Sequence, residues 1–297
     1  MVATFERWCS LPEVAPVLSE LERYGEGEPL AACPALRTLF ADRHSAPTFV
    51  GALVRHFCRT LADEPFGHPP LRHGYERGTS TLLLARRGRA HLVLHAREPG
   101  RRTFGSVTLS DGERREAVIG GLARARVVSR ADSAEPFAIN SRVLCPGSRL
   151  ALDLAREALQ VLAAERRLVS LRLDRAAERP GPVREYALGQ GALLRQASGD
   201  IRASRHEAML AVLGRMNCRE AVPVLAAIAA EDGADSLRWQ ALREALALDT
   251  ASGFGALCAV ARAAPDPLAA PATALRDRLA KAHPSLLSLE TDSCLGN

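Results

Sequence analysis

Two hydrophobic rhythms share this chain, and the switch between them near Asp200 limits the folds open to it more than any other feature. From Thr79 onward apolar residues tend to alternate with polar ones, the period of a strand. After Ser204 they recur at three and four residues, the period of a helix. Strands followed by helices, rather than strands and helices taken in turn, make an α+β protein.

In the strand-like part, Leu82-Leu83-Leu84 and His91-Leu-Val-Leu-His95 flank Arg87-Gly88-Arg89, which predicts a hairpin turning at the glycine. Asp111-Gly112 predicts a second hairpin, between residues 104–109 and 114–119. Gly120-Gly121 leads into a strand over 122–129, and another over 137–144 ends at Cys145-Pro146-Gly147. Residues 149–163 hold good helix formers, yet Leu150 and Leu152 alternate with their neighbours, so strands are expected. Leu168, Val169, Leu171 and Leu173 continue the series up to Pro180-Gly-Pro182. Many short strands with frequent turns predict an antiparallel β barrel or sandwich.

Helices are expected on either side. Before residue 70, Ser10 predicts the cap of a helix carrying Val14, Val17, Leu18 and Leu21 and ending at Gly25; two more are expected over 30–41 and 47–63. Beyond Asp200, Ser204-Arg-His-Glu207 has the form of a capping box, with Met209, Leu210, Val212 and Leu213 as the expected buried face. Further helices are expected over 221–230, 236–248, 250–263 and 268–282. Ser204-Arg-His-Glu-Ala-Met-Leu and Ser236-Leu-Arg-Trp-Gln-Ala-Leu begin 32 residues apart. Residues 220–229 and 237–246 resemble the second and first helices of successive HEAT-like repeats, over about 80 residues of the chain. That resemblance implies stacked helix pairs with a surface for a protein partner.

The seven cysteines stand singly with no Cys-x-x-Cys, which argues against disulfides and structural zinc and predicts buried small hydrophobes, Cys9 and Cys294 being the more exposed. No apolar run approaches a membrane span and the opening residues lack a secretory pattern, so a cytoplasmic protein is expected. The net charge of +5 conceals an uneven distribution. Residues 71–205 hold 25 arginines against 14 acidic residues, whereas the segments on both sides are net negative. A basic middle third can attract an acidic ligand or partner, or can simply be a solvated face. Aromatics make up only 4% of the chain, too few for the stacking platforms of a single-strand nucleic-acid groove.

The sharpest chemical pattern is His91-x-x-x-His95-x-x-Glu98. On a helix these groups would share a face and could hold a divalent metal ion; on a strand His91 and His95 also share a face but stand roughly 13 Å apart, too far for one ion. The β region faintly resembles the cupins in strand count and in a Pro-Gly turn midway, Pro146-Gly147. Metal-binding cupins carry His-x-His, a following glutamate and a distant third histidine. This chain has no His-x-His and no histidine between 99 and 200. His68 and His73 on the preceding segment are the remaining ligand candidates. No nucleophile elbow or phosphate-binding loop is present, and Gly253-Phe-Gly255 falls within a helix, where it reads as packing.

The expected architecture is therefore a helical segment over 1–70, an arginine-rich cupin-like β domain over 71–200 and a HEAT-like helical domain over 201–297. The expected function is a non-catalytic binding or regulatory protein with a protein partner and an acidic ligand, with no catalytic or cofactor-binding residue and no resident cofactor. The alternative is a cupin-type metal enzyme acting on a small anionic substrate, with His91 or His95 supplying a ligand to a divalent ion.

Overall fold

Four helices precede the sheet: α1 (Val2–Cys9), α2 (Ala15–Glu26), α3 (Pro34–Ala41) and α4 (Ser45–Asp63). The structure, a computed structural model, describes residues 2–131, 136–263 and 265–286. Ser10 closes α1 by donating its hydroxyl to the Glu6 carbonyl (2.8 Å) instead of capping α2. The helix expected over 30–41 splits into a 3-10 turn and α3, because Pro34 has no N–H to continue the ladder and serves as a first-turn residue. Gly25 does not end α2; Gly27, at φ 127°, does. Gly25 is needed for another reason. A Cβ there would lie 2.1 Å from the Arg87 carbonyl oxygen, so the glycine lets the helix press against the turn between two strands.

Those strands are β2 (Thr79–Arg87) and β3 (Ala90–Arg97), preceded by β1 (Arg72–Glu76). After them come β4 (Gly100–Arg101), β5 (Ser106–Leu109), β6 (Gly112–Ser129), β7 (Ala138–Leu144), β8 (Arg149–Asp153), β9 (Glu157–Ala176), β10 (Val183–Ala187) and β11 (Leu193–Ala197). The main sheet is antiparallel in the order β1-β2-β3-β9-β6-β7, with β4 added to β9 and β8 to β6. A smaller sheet runs β11-β10-β5. The hairpin at Arg87-Gly88-Arg89 is present, and residues 149–153 and 157–163 are strands whose pairing with β6 overrides their helix propensity. The Asp111-Gly112 hairpin is not formed: β5 pairs with β10, and β6 runs beside β9 from its first residue. The Asp111 carboxylate instead accepts the Gly181 N–H (2.8 Å), and a Cβ on Gly112 would lie 2.6 Å from the Arg175 carbonyl oxygen.

The long strands β6 and β9 serve two regions of the sheet. Their register slips at several points between Val118 and Ala125. Gly121, at φ 94°, takes part in that irregularity, and a Cβ on it would lie 2.3 Å from the Arg167 carbonyl oxygen. The helices cover one face of the sheet, where Trp8, Leu21, Tyr24, Phe49 and Leu53 pack with Leu84, Leu92, Leu171 and Leu173. Arginines tie the two layers together. Arg175 lies 4.0 Å over the Tyr24 ring and donates to the Tyr24 and Glu28 carbonyls, and Arg149 donates to the Asp42 carbonyl. Part of the basic excess is thus neither solvated face nor binding surface but an anchor for the helical layer.

Met1–Gln196 forms one compact unit and Ala197–Asn297 a second. The second contains α5 (Ile201–Arg215), α6 (Val222–Ala230), α7 (Asp235–Leu248), α8 (Thr250–Arg262) and α9 (Ala269–Ala282) around Leu225, Leu242, Phe254 and Leu257. Asp200 caps α5 by accepting the Arg202 N–H (2.8 Å), which leaves Ser204-Arg-His-Glu207 inside the helix and its capping box unformed. Leu210 is buried, but Met209 and Val212 are exposed, so the expected inward face of α5 is rotated. Gly253 is indeed a packing residue: a Cβ on it would lie 2.4 Å from the Leu246 amide nitrogen on α7. Among the described residues no helix is long and apolar enough to cross a membrane. Cys33 and Cys258 are buried, whereas Cys58 and Cys145 are exposed against expectation; Cys294 lies outside the described residues.

Candidate functional site

Strict alternation in β3, β6 and β9 gives the sheet two unlike faces. Leu92, Leu94, Ala117, Leu171 and Leu173 meet the helices. The residues between them point the other way and form three cross-strand rows. His91, Asp174 and Arg114 make the first, Val93, Arg172 and Glu116 the second, and His95, Ser170 and Val118 the third. Arg97, opposite Leu168, follows on β3.

The carboxylates on this far face are already engaged. Asp174 accepts from Arg114 Nε (2.5 Å) and Nη2 (3.0 Å), and His91 Nε2 lies 3.4 Å from its second oxygen. Burial pushes the Asp174 carboxyl up, but the hydrogen bonds of His91 and Arg114 outweigh it and hold the group well below the ordinary carboxylate range. Glu116 is fully buried. One of its oxygens accepts the Ser170 hydroxyl (2.5 Å) and lies 3.0 Å from Arg172 Nε, an ion pair not aligned as a hydrogen bond. Its other oxygen has no hydrogen-bond partner among the described residues.

His95 is 4% exposed, and its Nδ1 has no hydrogen-bond partner among the described residues. Burial, and then the charges of Arg172, Arg97 and Arg114, push its pKa down to about 3, so the ring is neutral at physiological pH. Burial and the neighbouring Arg102 and Arg172 likewise lower Arg97 to about 10, and its Nε and Nη1 have no hydrogen-bond partner among the described residues. Arg97, Arg114 and Arg172 thus face Glu116 and Asp174, three guanidiniums against two carboxylates.

His91 and His95 therefore share a face, four residues apart on one strand, separated by roughly 13 Å of backbone. Glu98 pairs with Arg167 (3.1 Å), and His68 and His73 are exposed outside the three rows. Among the described residues no cluster of three or more His, Cys, Asp or Glu side chains has metal-binding geometry. The chemistry of this donor set does not fit a divalent cation, because Asp174 is held by Arg114 and the positive charges of Arg172, Arg97 and Arg114 act against a cation at His95. Arg97, Arg114, Glu116, Ser170, Arg172 and Asp174 were missed as a group from sequence. Their signal is polar residues at strict period two within leucine runs, as in Ser170-Leu-Arg-Leu-Asp174, which marks a strand with a polar buried face.

On another part of the sheet, where β4, β9, β6 and β7 lie side by side, a groove of about 470 Å³ is lined by Arg101, Arg102, Arg124 and Arg142. Arg102 donates to the Arg77 carbonyl and the Thr79 hydroxyl. Among the described residues, Arg101, Arg124 and Arg142 contact no carboxylate.

No family model matches the chain, and no curated protein matches it. Solved structures similar to part of it include a Momordica charantia 7S globulin (12% identity, TM-score 0.30, 39% of this chain and 35% of that one). A cupin-superfamily sugar phosphate isomerase from Silicibacter pomeroyi aligns at 13% identity and TM-score 0.27, over 38% of this chain and 67% of that one. KdgF from Halomonas sp. aligns at 15% and 0.28, over 39% and 92%. The chain spans about a third of the globulin's length. Scores of this size carry no argument about chemistry.

Proposed function

We propose that this chain is a non-catalytic binding or regulatory protein whose arginine-rich β module engages an acidic partner, with HEAT-like helices as a second surface. One observation carries the reading: the division of charge between the two polar regions of the sheet. The buried carboxylates, the groups that would serve as general acid or base, are tied to guanidiniums and a hydroxyl. Among the described residues, the guanidiniums of Arg101, Arg124 and Arg142 contact no carboxylate. The exposed Met209, Val212 and Met216, at three- and four-residue spacing along α5 and its end, support an interaction role for the helical unit.

Fluorescence anisotropy with a labelled ten-residue polyglutamate tests the reading. The expected result is binding at physiological ionic strength that weakens as salt rises. A folded, monodisperse protein that binds nothing under those conditions overturns it.

The alternative, a cupin-type metal enzyme acting on a small anionic substrate, draws support from the free Nδ1 of buried His95. Against it stand the positive charges of Arg172, Arg97 and Arg114, which act against a cation there. Elemental analysis separates the two: a stoichiometric divalent metal lost on His91→Ala favours the enzyme.

A further inference from the structure

We infer that the groove in which Arg101 and Arg124 flank Ala163 is a binding site for a phosphomonoester group. This rests on the acidic-partner reading and narrows it to one chemistry at one place. Ladder pairing sets Arg101, Ala163, Arg124 and Val143 in a single row across β4, β9, β6 and β7. Arg101 and Arg124 therefore flank Ala163 on the same face, two strand spacings or roughly 10 Å apart at the backbone. The methyl of Ala163 is a low floor between two long side chains that can converge above it. Val143 adds an apolar flank in the same row, Ser141, opposite Arg126, brings a hydroxyl on the same face, and Thr103 adds another at the rim.

Like charges in one groove repel, and apolar walls strengthen that repulsion by lowering the local dielectric. A monocarboxylate would offset only one of the two guanidiniums on this face, since Arg142 pairs with Ala125 and falls out of the row. A phosphomonoester supplies nearly two charges and three acceptor oxygens, and planar guanidiniums bind such oxygens in pairs. The low floor, and two cations that contact no carboxylate among the described residues, suit that group.

Isothermal titration of the full chain with inorganic phosphate and with O-phosphoserine tests the inference, and malonate provides a dicarboxylate of similar charge. Both phosphates should bind, malonate at least several-fold more weakly; O-phosphoserine binding tighter than phosphate would place the rest of the ligand along the groove. Arg101→Gln and Arg124→Gln should each weaken binding roughly tenfold, the loss of a charge-assisted contact. Arg166→Gln, an exposed arginine on β9 outside the groove, removes the same charge and should leave affinity unchanged. Equal loss in Arg166→Gln, no loss in the groove variants, equal malonate affinity, or no phosphate binding at 10 mM (about a hundred times weaker than a 0.1 mM site) each overturns the inference. Polyglutamate binding that persists through those failures would leave the broader acidic-partner reading standing.

Discussion

Lowering the pH should weaken the β module through His95 by a calculable amount. The ring's ordinary pKa is 6.5, and in the folded chain burial and three arginines bring it to about 3. Between those values the unfolded chain binds a proton that the folded chain refuses, so stability falls as pH falls. The contribution is fully retained above 6.5 and is lost progressively down to about 3. Each pH unit inside the window costs about 1.4 kcal/mol, and moving from pH 7 to pH 5 costs roughly 2 kcal/mol once the partial protonation at pH 7 is counted. Asp174, which faces the same cluster, adds its own loss only below the ordinary carboxylate range. The assay is urea unfolding at pH 7 and pH 5, followed by Trp8 fluorescence in a Trp239→Phe background, since Trp8 is buried in the core beneath the sheet. His95→Gln keeps a polar side chain of similar size and does not titrate. The wild-type chain should lose about 2 kcal/mol more than this variant across that pH step. Equal losses would refute the claim that His95 is held neutral by its surroundings.

Asp174→Asn should cost about 3–5 kcal/mol at pH 7, because it strands the partly buried Arg114 guanidinium without its carboxylate; the same urea titration checks it, and a loss below 1 kcal/mol would place Arg114 in solvent. Gly25→Ala should destabilise the unit by about 1–3 kcal/mol and lower its melting temperature, since the added methyl meets the Arg87 carbonyl; an unchanged melting temperature would refute the close approach of helix and turn.

The histidines show how far a local pattern reaches. His91 and His95 could be placed on one face of a strand from their spacing, and that already separated them. What faces them could not be found the same way. Arg114 and Glu116 lie on β6 and Arg172 and Asp174 on β9, some sixty residues on, and the register that sets them in rows is a property of the ladder. The failed hairpin at Asp111-Gly112 has the same origin. A glycine dipeptide signals a local turn, but here a distant strand approaches the backbone so closely that only glycine fits.

Sequence alone determined the class of this protein. Periodicity is a local quantity, so strands over the middle third and helices beyond Asp200 could be read residue by residue, as could the turn at Gly88. Tertiary structure alone decided what the arginines do. A guanidinium looks the same in sequence whether it anchors Tyr24, neutralises Asp174 or lines the groove with Arg101 and Arg124. Its role is set by the charge that another strand or helix brings within a few ångströms, and that neighbour is chosen by long-range pairing.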